Sequence, residues 1–145
     1  MYRELLSGFI KNCSTAKLQP PCSEDKIEKT EKYVGFTFPA ELKNLLRETD
    51  GDNWLLLSAE EIMNHVKANR EIYPAYLDED EFEEKINRFV YFATNGCGDY
   101  YCYRVLSDDS TDTSAIYIWE HELFEVIKVA DNISQLITKY YSDEI

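Results

Sequence analysis

The chain has 145 residues, the length of a typical single domain, of which 44% are apolar and 14% aromatic, and this content excludes an intrinsically disordered chain. Its 15 Lys and Arg residues against 28 Asp and Glu give a formal net charge of −13, which argues against nucleic acid or an anionic membrane as partner, because both are polyanions. No stretch approaches the roughly 18 uninterrupted apolar residues of a membrane helix. Polar residues interrupt the first twelve positions, so no signal peptide is expected there.

The first half of the chain is predicted to be mostly helical. Apolar spacing predicts a helix over Tyr2 to Cys13. A second helix is expected to follow the N-cap Ser23 and to stop at Gly35. A third is expected to begin with Pro39 at its first helical position and to end at Asp50-Gly51-Asp52.

A short strand and a fourth helix are predicted next. Trp54 to Leu57 is the strand candidate, and Ser58 with Glu61 matches a capping box. Six acids follow closely, and Phe82 with Ile86 interrupts them at helical spacing, so a short surface helix is predicted. The six acids are Asp78, Glu79, Asp80, Glu81, Glu83 and Glu84.

The second half indicates a run of antiparallel strands. Strands are predicted over residues 88–93, 99–106, 114–119 and 123–129, with Asn95 to Asp99 as a glycine-rich hairpin turn. Asp131 or Asn132 is expected to cap a final helix. Helices, then strands, then a helix indicate an α+β fold, and no linker divides residues 1–145.

The four cysteines, Cys13, Cys22, Cys97 and Cys102, are expected to be reduced thiols of a cytoplasmic protein. Their spacings contain no C-x-x-C pair, and no base is placed beside a thiol, so we predict buried apolar packing rather than a zinc site or a nucleophile.

No motif indicates catalysis. The glycine turn lacks G-x-G-x-x-G, has no Lys and precedes a strand, so no nucleotide site is expected. Glu120-His121-Glu122 is interpreted as a structural hydrogen-bonding corner rather than an acid–base dyad. No calcium loop or hydrolase signature is present. We therefore predict no enzyme, with no catalytic residues, no cofactor and no metal.

Tyrosines are concentrated on the predicted strands. Alternation places Tyr101 and Tyr103 on one face, with Tyr100 and Cys102 on the other. One face is expected to be core, and the other is expected to display phenol groups suited to protein recognition. The alternative is that β-propensity and core filling account for most of these residues.

Three motifs, in order along the chain, carry a resemblance to a known family. They are Phe38-Pro39-Ala40-Glu41-Leu42, Phe92-Ala93-Thr94-Asn95-Gly96-Cys97-Gly98-Asp99-Tyr100-Tyr101 and Ala115-Ile116-Tyr117-Ile118-Trp119-Glu120-His121-Glu122, followed by Ala130-Asp131-Asn132-Ile133. Over about residues 27–141 the chain resembles the SUKH superfamily, in its SMI/KNR-like group similar to the fungal cell-wall (glucan) synthesis regulators. It departs from the family at Cys97, where a third glycine is common.

The resemblance implies one domain with a mixed, mostly antiparallel sheet flanked by helices. It also implies a cytoplasmic binding protein without enzymatic activity, because bacterial members resemble immunity proteins of polymorphic and contact-dependent toxin systems. The shared motif residues then have structural roles. Pro39 starts a helix, Gly51 stops one, Gly96 and Gly98 shape a turn, and Trp119 lies in the core.

We therefore expect an immunity protein, or antitoxin, that binds a cognate toxin and occludes its active or substrate-binding surface. The toxin is expected to be a basic domain such as a nuclease, to which an acidic protein is attracted. The alternative is a regulatory scaffold that binds cellular protein partners. Candidate contact residues are the six acids and the aromatic residues Trp54, Tyr76 and Tyr101, although acid runs are usually solvated faces.

Overall fold

The computed structural model describes residues 1–13 and 15–145, and in these residues it contains six α-helices and one four-stranded sheet. Residues 73–75 form a 3₁₀ turn and residues 83–87 a π-helical turn. This order of elements confirms the predicted α+β class. The helices and strands are α1 (Tyr2–Ile10), α2 (Glu24–Val34), α3 (Ala40–Glu48), α4 (Ala59–Ile72), α5 (Glu79–Phe82), β1 (Phe89–Thr94), β2 (Tyr100–Arg104), β3 (Ile116–Trp119), β4 (Val126–Ala130) and α6 (Ile133–Tyr141).

Local capping chemistry sets both ends of α2 and the start of α4. The Ser23 side chain caps α2, and Gly35 ends that helix in the left-handed conformation with φ 90°. Ser58 and Glu61 form a complete capping box at the start of α4. These predictions are confirmed, whereas Pro39 lies at the N-cap of α3, one residue before the predicted position.

The prediction that Gly51 ends α3 is wrong. The helix ends at Glu48, and Thr49 is already extended. Gly51 has φ 81°, and a Cβ at this position would lie 2.7 Å from the Ser58 nitrogen and 2.9 Å from the Leu56 oxygen. Gly51 is therefore required by a close approach of two backbone segments rather than by the end of a helix.

The four strands form an antiparallel meander in the order β1-β2-β3-β4. Every strand pair in the described part of the chain is antiparallel, so the sheet is not mixed. The strand predicted over residues 54–57 is reduced to one bridge between Leu56 and Ala93. Backbone hydrogen bonds of 3.0 and 2.9 Å join Leu57 and Leu55 to β1, so this segment covers the edge of the sheet.

Both faces of β2 are buried, and the expectation of an exposed tyrosine face is therefore wrong. Tyr100, Tyr101 and Tyr103 are 8%, 2% and 0% exposed. On one face, α6 places the ring of Tyr140 6.2 Å from that of Tyr101. On the other face, Nδ1 of His65 in α4 lies 2.6 Å from the Tyr100 hydroxyl. The sheet is thus the middle layer between helices, and its tyrosines fill the core.

Trp119 lies at the centre of an aromatic cluster on the α4 side of the sheet, as predicted for a core residue. It is fully buried, and the rings of Tyr91, Tyr100 and Phe124 lie 5.8, 5.6 and 5.8 Å from it. Its Nε1 donates to the Lys85 carbonyl at 2.7 Å. That bond joins the π-helical turn to the sheet and satisfies the buried indole N–H.

Glu41, in the first shared motif, has a structural role. Its carboxylate accepts a 2.6 Å hydrogen bond from the Tyr103 hydroxyl and a 3.4 Å bond from the backbone nitrogen of Ile133. One side chain in α3 therefore joins β2 to the start of α6. Burial, followed by the hydrogen bond to Glu41, raises the pKa of the Tyr103 phenol.

Candidate functional site

The predicted contact residues fall into two groups at opposite ends of the β1–β2 hairpin. Asp80, Glu83 and Glu84 line a groove with Arg88 and Arg104 at one end, and Tyr76 and the other three acids belong to the same stretch of the chain. We call residues 78–84 the acidic segment. Trp54 and Tyr101 lie at the other end, close to the turn that contains Asn95, where they line a common cleft.

Two of the six acids stabilise the helix of the acidic segment. Asp78 and Glu81 form a capping box, in which the Asp78 carboxylate accepts a 2.8 Å hydrogen bond from the Glu81 nitrogen. Glu81 also forms a 3.4 Å ion pair with Lys85, one helical turn further on. The segment is therefore a short ordered helix continued by the π-helical turn, as the sequence predicted for a surface helix.

The other four acids, Glu79, Asp80, Glu83 and Glu84, are exposed. None of them forms an ion pair with another residue that the structure describes. Three of them line a groove of about 350 Å³ together with Arg88 and Arg104, but the arginines are engaged elsewhere. Arg88 pairs with Asp109 at 2.9 Å, and the Arg104 guanidinium lies 4.9 Å from the centre of the Tyr117 ring. The acidic segment thus presents its negative charge to solvent.

Two of the three aromatic candidates are accessible. Tyr76 is 79% exposed on the turn before the acidic segment, and Trp54 is 46% exposed at the opposite end of the hairpin. Tyr101 is almost fully buried, and burial raises the pKa of its phenol to about 12. Tyr101 belongs to the wall of the cleft and does not project from the surface. The contact role of all these residues stays a prediction.

The cleft has a volume of about 890 Å³ and lies where the C-terminal ends of α1 and α6 meet the loop that carries Trp54. We call it the aromatic cleft, because five of its eleven lining residues are aromatic. Its principal side chains are those of Phe9, Trp54, Tyr101, Tyr140, Tyr141 and Asp143.

Asp52 holds two walls of the aromatic cleft in place through hydrogen bonds. It is fully buried, and its Oδ1 accepts hydrogen bonds from the backbone nitrogens of Trp54 and Leu56 at 3.0 and 2.8 Å. Its Oδ2 accepts a 2.6 Å bond from the Tyr141 hydroxyl. Burial and this bond raise the pKa of Tyr141. One carboxylate therefore fixes the Trp54 loop relative to α6 and positions two walls of the cleft.

Among the six principal side chains of the cleft, the sequence did not indicate four: Phe9, Tyr140, Tyr141 and Asp143. The available signal was the pair Tyr140-Tyr141 at the end of an amphipathic helix, because only one of two consecutive positions belongs to the buried stripe. Their meeting with Phe9 depends on the packing of α1 against α6, which local periodicity does not specify.

His121 forms the hydrogen-bonding corner that was predicted, and Asp99 is its partner. Its Nδ1 lies 2.7 Å from Asp99 Oδ1, and its backbone nitrogen donates to the same oxygen at 3.1 Å. The imidazole packs on Gly98, where a Cβ would lie 3.0 Å from Nδ1. The hydrogen bond to Asp99 raises the pKa of His121. Burial opposes a fall in the pKa of Asp99, but hydrogen bonds from His121 and Asn95 outweigh it.

The described residues contain no group of three or more His, Cys, Asp and Glu side chains placed to hold a metal ion. All four cysteines are free. The predicted buried packing is confirmed for Cys22 and Cys102 and is wrong for Cys97, which is exposed, while Cys13 is half-buried. Over the same described residues, no helix has both the length and the apolar character needed to cross a membrane.

The architecture defines an α+β domain in which an antiparallel meander lies between helices. The model of the SMI1 / KNR4 family (SUKH-1) matches residues 21–139, and the chain belongs to this family. No curated protein matches the chain with significant similarity. The match confirms the family resemblance. At the level of the family, membership supports a role like that of the SUKH immunity proteins, which are known as non-enzymatic and act by binding protein partners.

Proposed function

We propose that this protein is an immunity protein that binds a cognate polymorphic or contact-dependent toxin and neutralises it in the cytoplasm. The observation that carries the proposal is the family match over residues 21–139. Residues 1–145 act as one domain in this proposal. The mechanism is occlusion: the bound protein covers the active or substrate-binding surface of the toxin.

The net charge of −13 supports a basic toxin domain, in particular a nuclease. A nuclease needs a positive surface to hold phosphates, and an acidic protein competes for that surface. Charge complementarity mainly raises the rate of association, whereas desolvated aromatic anchors slow dissociation. The exposed side chains of Trp54 and Tyr76 are suited to the second task.

The acidic segment is the proposed source of electrostatic attraction. Residues 78–84 contain six acids and no base. Because Asp78 and Glu81 hold the helix in place, the four other carboxylates are displayed from an ordered backbone. An ordered display lowers the conformational entropy lost on binding.

Co-expression tests the function directly. Where the adjacent reading frame encodes a toxin domain, that domain is induced in a bacterial host with and without this protein, and survival is measured. We expect survival only when both are present. A catalytically inactive toxin controls for expression burden. Death of the cells in the presence of the folded protein contradicts the proposed function for that pair.

Association kinetics test the role of the acidic segment. The variant E79Q/D80N/E83Q/E84Q removes four negative charges and leaves the capping box intact. The control E4Q/E28Q/E122Q/E125Q removes four exposed charges at other sites. Stopped-flow association with the toxin at low and high ionic strength is expected to be slower, with a weaker salt dependence, for the first variant. Equal rates for both variants remove the acidic segment from the mechanism.

A further inference from the structure

We infer that the aromatic cleft is a receptor for a cationic side chain, arginine or lysine, of a protein partner. The identity of the partner as a toxin rests on the proposed function. The chemistry of the cleft does not, because it follows from the rings, charges and helix ends around it.

The aromatic rings of the cleft form a contiguous cluster. Tyr140 and Tyr141 are nearly perpendicular, at 89° with ring centres 5.3 Å apart, and Tyr101 and Tyr140 meet at 79°. Phe9 stacks on Tyr141 at 5.9 Å. Phe9, Tyr140 and Tyr141 are only half-buried and line the cleft, so part of each ring stays accessible there, and an ammonium or guanidinium group placed over a ring face is attracted by its electron-rich surface.

The electrostatics of the cleft also favour a cation. The eleven lining residues include one acid, Asp143, and no lysine or arginine. The C-terminal ends of α1 and α6 both lie at the cleft, and helix C-termini carry partial negative charge. Burial, followed by the nearby carboxylates of Asp52 and Asp143, raises the pKa of Tyr140. The Tyr140 phenol is thus neutral near pH 7.

The cleft is also pre-organised. Asp52 holds the backbone of the Trp54 loop and the Tyr141 hydroxyl, so two walls are fixed before a ligand arrives. The half-exposed Trp54 indole at the rim then needs little reordering to cover an incoming side chain. A volume of about 890 Å³ exceeds that of one side chain, so the cleft also has room for the backbone that carries it.

The test uses two short peptides and no toxin. Acetyl-Gly-Arg-Gly-amide is titrated into the protein, and the neutral isostere with citrulline replaces it in a parallel titration. Two-dimensional NMR and the fluorescence of Trp54 report binding; Trp119 is fully buried and gives a constant background. We expect saturable shifts confined to the cleft, with affinity for the citrulline peptide lower by about fivefold or more.

Two variants separate recognition from folding. Asp143→Asn removes the charge at an exposed position with φ 58°, a conformation that Asn tolerates, and is expected to weaken arginine binding about two- to fivefold. Tyr140→Leu keeps an apolar side chain but removes the ring, and a similar loss is expected. Glu122→Gln removes an exposed charge on the turn between β3 and β4 and is the control.

Equal binding of both peptides, absence of binding, or shifts confined to the acidic segment would overturn the inference. These outcomes are independent of the proposed function, because no toxin is present. Arginine-specific binding in the cleft combined with no protection in co-expression would leave the inference standing and reject the immunity function.

Discussion

The bond between Tyr141 and Asp52 provides the sharpest test of how the cleft is built. Tyr141→Phe deletes only the hydroxyl that donates to Asp52 Oδ2 at 2.6 Å. Asp52 is fully buried and keeps its two backbone donors, so the variant leaves one carboxylate oxygen without this partner. A hydrogen bond to a buried charged group contributes about 1.5–3 kcal/mol, and we expect the free energy of unfolding to fall by that amount.

Chemical denaturation monitored by circular dichroism measures this loss. We expect a lower midpoint with an unchanged m-value, because the surface exposed on unfolding hardly changes. The melting temperature is expected to fall by roughly 5–9 °C, at about 3 °C per kcal/mol for a chain of this size. In the double-mutant cycle with Asp52→Ala, most of the loss caused by Tyr141→Phe is expected to disappear, since its partner is already absent.

Tyr140→Phe is the matched control, because it removes a neighbouring hydroxyl of α6 and leaves the bond to Asp52 in place. Its expected change is below about 0.5 kcal/mol. If Tyr141→Phe costs no more than this control, or if its cost is the same in the Asp52→Ala background, the hydrogen bond is not what joins α6 to the Trp54 loop.

Three further predictions follow from the turns and caps. Gly51→Ala is expected to destabilise the protein more than Gly96→Ala in denaturant titrations. Both glycines have positive φ, where an L-residue costs about 1–2 kcal/mol. Only at Gly51 would the added Cβ also lie within 3.0 Å of backbone atoms. The hydrogen bond to Asp99 raises the pKa of His121 above its ordinary value of 6.5. The stabilisation from this pair is therefore fully present below the unfolded pKa and is lost as pH rises through the folded pKa. NMR titration should show a lower pKa of His121 in Asp99→Asn. Ser58→Ala should cost about 1 kcal/mol, with Ser58→Thr retaining most of the cap.

Local chemistry made much of the fold predictable. The caps at Ser23 and Ser58 and the left-handed Gly35 were expected because each depends on residues within one helical turn. The two-sided burial of β2 was missed, although its sequence Tyr-Tyr-Cys-Tyr contains no alternation of apolar and strongly polar residues. An unbroken run of this kind is typical of a strand covered on both faces.

Long-range contacts account for most of what sequence reasoning missed. The apolar run over residues 54–57 favours a strand, but Asn53 adopts φ 63° and Asp52 binds the backbone of Trp54 and Leu56, so the chain forms a loop. The partner that completes this arrangement, Tyr141, lies 89 residues further along the chain. No pattern within a local window contains both ends of such a contact, and the aromatic cleft depends on it.

The two candidate surfaces lie on opposite faces of the sheet. The acidic segment lies on the α4 side of the sheet, where the bond between Trp119 and Lys85 fixes the following turn, whereas the aromatic cleft lies on the α6 side. A standard interface covers about 800 Å² on each partner, so the interface is centred on one face or the other.

The acidic segment would therefore act on a toxin bound in the cleft through long-range electrostatic attraction. Substitution of the four acids should then slow association and leave the dissociation rate unchanged, whereas Asp143→Asn and Tyr140→Leu should speed dissociation. The opposite assignment, with dissociation sensitive to the acids and insensitive to the cleft, would place the toxin on the acidic segment. The two binding sites predict opposite effects of these substitutions on the dissociation rate, so one set of measured rate constants decides between them.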